Sequence, residues 1–164
     1  MTERPEMLAN VHAERVKKVA ALSGRSARSR HGQFLVEGPG AVHELVTYAP
    51  HLVRDLYLAP EFEADPAVQT ARAHGLYVHL ATREVLGAMS RDAQGILAVA
   101  RTPTPLSLDV LDGARLAVLL PQASDPGNLG TLIRIADAAG ADAVVVCSGS
   151  AEVTNPKVVR STTG

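Results

Sequence analysis

The sequence predicts an α/β fold built in two parts, a small α/β domain followed by the first βαβ portion of a second one. Three observations carry that prediction. Short apolar runs alternate with helix-length segments from Phe34 to Ala100. The stretch RTPTPLSLD then brings prolines without periodicity, the mark of a boundary. Beyond it an apolar run, a turn-rich loop, a helical pattern and a second apolar run follow within about 30 residues, the size of one βαβ unit. The expected division is 1–104 for the first domain, 105–113 for the linker and 114–164 for an incomplete second domain.

Taken in order, Val11, Val16, Val19, Ala20 and Leu22 recur at helical spacing over 10–22, with Asn10 as the expected N-cap. SGRSARSRHG reads as a small, basic, flexible loop. The run 34–36 suits a buried strand, and Gly38-Pro39-Gly40 leads into a helix over AVHELVTYA. Strands are expected at 52–58, 76–80 and 95–100, and helices at 66–74 and 82–88, the second capped by Thr82. In the second part, 115–121 reads as a strand of a parallel sheet, buried on both faces. QASDPGNLG is a loop, and 131–139 is a helix whose apolar stripe holds Leu129, Leu132, Ile133, Ala136 and Ala139. Gly140 stands where a left-handed residue ends that helix. The second strand is 143–147, and another helix begins near Asn155. One βαβ unit cannot cover both faces of its own sheet, so the sequence reads as part of a longer protein.

Composition narrows the class. Of 164 residues 46% are hydrophobic and 20% charged, the balance of a globular chain. Aromatics are only 3%, so the core is expected to be built from Ala, Val, Leu and Ile. No apolar run approaches the roughly 20 residues that span a bilayer, and MTERPEMLAN lacks the apolar stretch of a secretory signal. The single cysteine, Cys147, excludes an internal disulfide and reads as a small core hydrophobe. A cytoplasmic protein without a membrane partner is expected. Histidines 12, 31, 43, 51, 74 and 79 show no ligand spacing, so no metal site is expected.

The net charge of −1 does not announce a nucleic-acid binder, but its distribution is informative. Between His12 and Gly32, Arg15, Lys17, Lys18, Arg25, Arg28 and Arg30 face one acid, Glu14. Such a stretch supplies phosphate contacts, or it is a solvated helix followed by a basic loop. Charge alone leaves both open.

The chemistry-bearing stretch runs from Ser124 to Gly140. Asp125 and Pro126 start a turn, and Gly127 and Gly130 let backbone approach a ligand or another chain closely. Asn128 sits near the helix start, placed to cap it or to face a ligand. Arg134 falls among apolar residues and must find water, a carboxylate or a phosphate, which its planar fork binds bidentately. The plain alternative is a capped turn with one snorkelling arginine. Neither GxxxxGK[ST] nor GxGxxG occurs in this turn.

Asp125-Pro126, Asn128, Gly130, Arg134, Ala136, Ala138 and Gly140 stand in one register that resembles the first signature motif of the SpoU family of RNA 2′-O-ribose methyltransferases. The strand around Val144-Val145-Val146 and the stretch from Asn155 to Gly164 look like the family's continuation. On the N-terminal side, Arg28 to Gly38 resembles the opening signature of the family's substrate-binding domain. Val85 to Ser90 and Gln94 to Val99 resemble its closing one. The resemblance covers almost the whole chain.

The resemblance implies a small RNA-binding α/β domain like that of ribosomal proteins that bind kinked RNA, then the opening of a knotted SPOUT methyltransferase domain. It implies methyl transfer from S-adenosylmethionine to a ribose 2′-hydroxyl of ribosomal or transfer RNA, by a homodimer. Arg134 would lie at the target nucleotide. A guanidinium holds its proton too firmly to be a free base, so its expected role is gripping the adjacent phosphate and stabilising the emerging alkoxide. Asn128 would position the ribose or Arg134. Lys17, Lys18, Arg25, Arg28 and Arg30 would contact RNA, and Glu37 reads as a strand-end carboxylate bonding backbone amides. The motifs that form the knot and nearly all of the cofactor pocket are expected beyond Gly164, so this chain alone is expected to be inactive. An RNA-binding module without catalysis is the second reading, and an α/β protein binding a small molecule or nucleotide is the third.

Overall fold

In a computed structural model, residues 7–163 are described. The opening MTERPE and Gly164, the last residue of the final signature, lie outside the described residues. The chain forms two compact units, the first ending at Thr102 and the second running Pro103–Thr163.

The first unit holds helices α1 (Glu14–Ala21), α2 (Arg25–His31), α3 (Pro39–Tyr48), α4 (Pro66–Ala73) and α5 (Arg83–Met89). Its strands are β1 (Gln33–Glu37), β2 (Val53–Leu58), β3 (Tyr77–Leu80) and β4 (Ile96–Arg101). They form one sheet in the order β1-β4-β2-β3, parallel only between β2 and β3. Alternation along the strands gives each face its own set of side chains. Leu35, Tyr57, Leu97 and Val99 meet Val16, Val19 and Leu22 of the α1 region and Val85, Leu86 and Met89 of α5. On the other face α3 and α4 bring buried Val42, Val46, Val68 and Ala71 against the sheet. The expected strands and helices of this unit are present, and Thr82 accepts from the Val85 amide as the expected cap.

Two expectations fail here. The first helix starts at Glu14, not after Asn10, whose side chain instead accepts from the His12 amide in the turn before it. The basic stretch read as a flexible loop is the helix α2. Gly24 precedes it in extended conformation, and Gly32 ends it at φ 58°. The two glycines look like loop residues in sequence but sit at helix ends, and at Gly32 the left-handed backbone favours glycine. Glu37 is buried at the end of its strand, where it accepts from the Ser90 hydroxyl.

The second unit holds β5 (Ala117–Leu120), α6 (Pro126–Ala138), β6 (Ala143–Val146) and α7 (Pro156–Thr162). β5 and β6 are parallel and register Ala117 to Ala143, so β5, α6 and β6 form the expected βαβ unit. The expected linker, 105–113, falls in this unit and contains a single 3₁₀ turn, Leu108–Leu111. Helix α6 begins five residues earlier than its apolar pattern suggested. Asp125 accepts from the Asn128 amide and Pro126 occupies the first turn, so PGNLG is helical. Gly140 follows the helix at φ 73°, as expected. The strand expected to be buried on both faces is covered on one only. Leu120 is buried with Leu129 and Val158, whereas Leu119 is 62% exposed. Of the expected stripe on α6, Leu129 and Ala136 are buried and Leu132 is exposed. Cys147 is half-buried just past β6, not within it.

Candidate nucleic-acid interface and the Arg134 helix

The open end of the first sheet forms a groove of about 810 Å³. Asp55 and Tyr57 on β2, Tyr77 and His79 on β3, and Val99 and Arg101 on β4 share its floor, as every second residue of a strand must. Arg15 and Lys18 of α1, His31 of α2, and Arg54 stand around it. The β2–β4 ladder slips between Val53 and Asp55, and the extra residue is Arg54. That bulge re-aims a side chain that regular alternation would send to the opposite face.

The polar groups of the groove are ordered around one ring. His79 Nε2 lies 2.8 Å from Asp55 Oδ1, and Arg15 Nη1 lies 3.3 Å from His79 Nδ1. A guanidinium only donates, so Nδ1 accepts and Nε2 carries the proton that goes to Asp55. The ring stacks on Tyr57 with centroids 5.0 Å apart. Arg54 Nε stands 3.5 Å from the other Asp55 oxygen. Burial alone would push the Asp55 carboxyl up. The hydrogen bond from His79 and the electrostatic pull of His79, Arg54 and Arg15 outweigh it, and the pKa lies below the ordinary value. Burial, and then the Asp55 charge, push the Tyr57 phenol up to about 12.

Of the residues expected to contact RNA, Lys18 lines the groove. Lys17, next to it on α1, is exposed and pairs with Glu14 at 3.2 Å. Arg25 and Arg30 are exposed on α2. Arg28 is different. It is 3% exposed, and its guanidinium donates to the carbonyls of Leu22 (3.0 Å) and Ser23 (2.7 Å), which follow the end of α1. Through that one nitrogen, Nη1, it ties α2 to α1 rather than facing solvent. Arg54, Tyr77, His79 and Arg101 were missed by sequence reading. Their signal was present in the alternating polar positions of β2, β3 and β4, which become one surface only once strand order is known.

In the second unit Asp125 supplies the cap, so the Asn128 side chain is spared that duty. Asn128 and Arg134 are exposed, and neither side chain has a hydrogen-bond or ion-pair partner among the described residues. Six residues apart on one helix, they lie about 9 Å apart along its axis and about 120° apart around it. The helix therefore does not bring them into contact; it places them on the two edges of its exposed face. Gly130, one turn before Arg134, is buried against α7. A Cβ there would collide with Ser161 and come within 2.5 Å of the Val158 carbonyl oxygen, so α6 and α7 meet backbone to backbone at this glycine. Asn155 caps α7 through the Lys157 amide at 2.9 Å. The described residues contain no group of three or more His, Cys, Asp or Glu arranged to hold a metal.

Residues 13–98, more than half of the chain, match the MRM3-like substrate binding domain, and residues 115–164 match the SpoU rRNA Methylase family. The chain belongs to the SpoU rRNA methylase family. It is similar to the 23S rRNA (guanosine(2553)-2′-O)-methyltransferase RlmP of Bacillus subtilis, with 33% identity over 92% of this chain and 58% of that protein. It is also similar to the 23S rRNA (uridine(2479)-2′-O)-methyltransferase of Streptomyces viridochromogenes, with 32% identity over 88% of this chain and 52% of that one. Among solved structures, an RNA 2′-O ribose methyltransferase superposes with a TM-score of 0.73 at 28% identity, over 97% of this chain and 62% of that one. The SpoU methyltransferase AviRb from Streptomyces viridochromogenes gives 0.74 at 30% identity over 93% and 58%. AviRb is also known in complex with AdoMet. The chain thus spans little more than half the length of these relatives.

For that donor the described residues leave no buried polar side-chain atom unpartnered. The groove of the first unit carries four cationic side chains, which repel a sulfonium. The open face of β5 is apolar, with Leu119 in solvent.

Proposed function

We propose that this chain serves in methyl transfer from S-adenosylmethionine to a ribose 2′-hydroxyl of ribosomal RNA. In this reading the first unit holds the RNA through Lys18 and the cations around the groove, supported by Lys17, Arg25 and Arg30. Arg134 grips the phosphate at the target nucleotide and stabilises negative charge developing on the 2′-oxygen. Asn128 hydrogen-bonds the ribose. The observation that carries this reading is the exposure of Asn128 and Arg134 without partners, while Asp125 caps their helix. A helix that needed them for stability would have engaged them.

Family membership supports a homodimeric active form, and exposed Leu132 and Ile135 on α6 supply an apolar surface for it. The named relatives support ribosomal over transfer RNA as substrate.

The test is methyl transfer from labelled S-adenosylmethionine to ribosomal and transfer RNA by the gene's uninterrupted product and by residues 1–164. Transfer by the uninterrupted product, lost in Arg134→Ala while RNA affinity is mostly kept, is the expected result. An uninterrupted product that binds both RNAs and methylates neither makes the chain a binding module, the reading that the basic groove alone favours.

A further inference from the structure

The groove on the first sheet combines features that a merely positive surface does not need. Tyr77 lies on β3, the sheet's edge strand, with 72% of its surface in solvent. Two residues on, on the same face, His79 continues into the Tyr57 stack, so the floor presents π surface next to cations. Arg15, Lys18, Arg54 and Arg101 surround a single carboxylate, Asp55, whose oxygens already serve His79 and Arg54. Arg101 is steadied by the His51 carbonyl at 3.3 Å, and Arg15 by His79. A volume of about 810 Å³ lies within the range of roughly 300–1,000 Å³ typical of sites for a single small ligand. A duplex presents its bases edge-on and buried in the stack, so it cannot offer a base face to Tyr77.

Resting on the RNA-binding reading above, we propose that this groove is a subsite for one unpaired nucleotide of the RNA. Its base stacks on Tyr77, and its phosphate is held by Arg15, Lys18, Arg54 and Arg101. Aromatic stacking is indifferent to base identity, because every base has a π face. The subsite therefore selects single-stranded over paired RNA and not one sequence over another. His79 orients Arg15 without touching the nucleotide.

The experiment titrates the 164-residue chain with a short fluorescein-labelled oligoribonucleotide, single-stranded or annealed to its complement. Tyr77→Ala should weaken single-strand binding roughly 5- to 100-fold, the size of one lost base stack, and leave duplex binding unchanged. Tyr77→Phe should keep the affinity. The chain has three tyrosines and no Trp, so tyrosine emission is readable. It should be quenched by an unlabelled single strand, and that quench should be missing in Tyr77→Phe. With Tyr77 so exposed, neither substitution disturbs the core, which circular dichroism checks. Wild-type single-strand affinity in Tyr77→Ala overturns the subsite while leaving RNA binding intact. Equal losses for single strand and duplex overturn its single-strand character. Absence of salt-dependent binding to either RNA overturns the RNA reading itself, and the subsite with it.

Discussion

His79 Nε2 donates to Asp55 across 2.8 Å between two parallel strands, while Arg15 reaches the opposite nitrogen of the same ring. The imidazole thus joins a helix residue to a sheet carboxylate, and Asp55 is the group whose titration reports on the arrangement.

The Asp55 carboxyl loses its proton more readily in the fold than its ordinary value of 3.8, because His79, Arg54 and Arg15 together outweigh its burial. A depressed folded pKa stabilises fully above the unfolded value and is lost as pH falls through the folded one. Asp55→Asn should therefore flatten the loss of stability as pH falls below about 4. Urea midpoints measured across that range check it. Parallel curves for variant and wild type would remove Asp55 from the acid response.

Tyr57 is shifted the other way, up to about 12, by burial first and then by the Asp55 charge. A raised folded pKa stabilises fully below the unfolded value of 10 and is lost as pH rises towards 12. Absorbance of phenolate near 295 nm should show a late step for one tyrosine of the three, absent in Tyr57→Phe. That variant should also resist alkaline unfolding better than wild type relative to its stability at neutral pH.

The strands and the βαβ unit were legible because apolar runs and helical spacing are local signals. Helix α2 was not, since Gly24, Gly32 and the seven small or basic residues between them carry no apolar periodicity. What holds it is Arg28, turned inward onto the end of α1, a contact no local pattern encodes. The motif around Arg134 was visible as spacing along one helix. The groove was not, because Arg15, Arg54, Tyr77 and Arg101 come from separate segments and meet only in the order β1-β4-β2-β3. The apolar run at β5 looked doubly buried because hydrophobicity records what a strand is able to cover, not what covers it.

Gly130 separates close packing from mere flexibility. Its missing side chain lets α7 backbone lie against α6. Gly130→Ala must push the helices apart and should cost about 1–3 kcal/mol. Gly87, within α5, has nothing within 4 Å of an added Cβ. Gly87→Ala should be stabilising by about 0.5–1 kcal/mol through a less flexible unfolded chain. Chemical denaturation of both variants decides it, and similar effects from the two would mean that the α6–α7 contact yields without cost.

Arg28 tests whether a basic residue in the RNA-facing segment acts on RNA or on the fold. Its guanidinium satisfies the Leu22 and Ser23 carbonyls from a buried position. Arg28→Met leaves those acceptors without their donor and should cost about 1–3 kcal/mol. Arg28→Lys should recover part of the loss, since both bonds leave the single Nη1 and an ammonium also carries more than one donor on one nitrogen. Exposed Arg30 lies on the same helix. Arg30→Ala should leave stability nearly unchanged and flatten the dependence of RNA affinity on salt, because each phosphate contact adds to that slope. Denaturation and RNA titration at several salt concentrations separate the two roles. A flatter salt slope with unchanged stability in Arg28→Met would reassign Arg28 to the phosphate backbone.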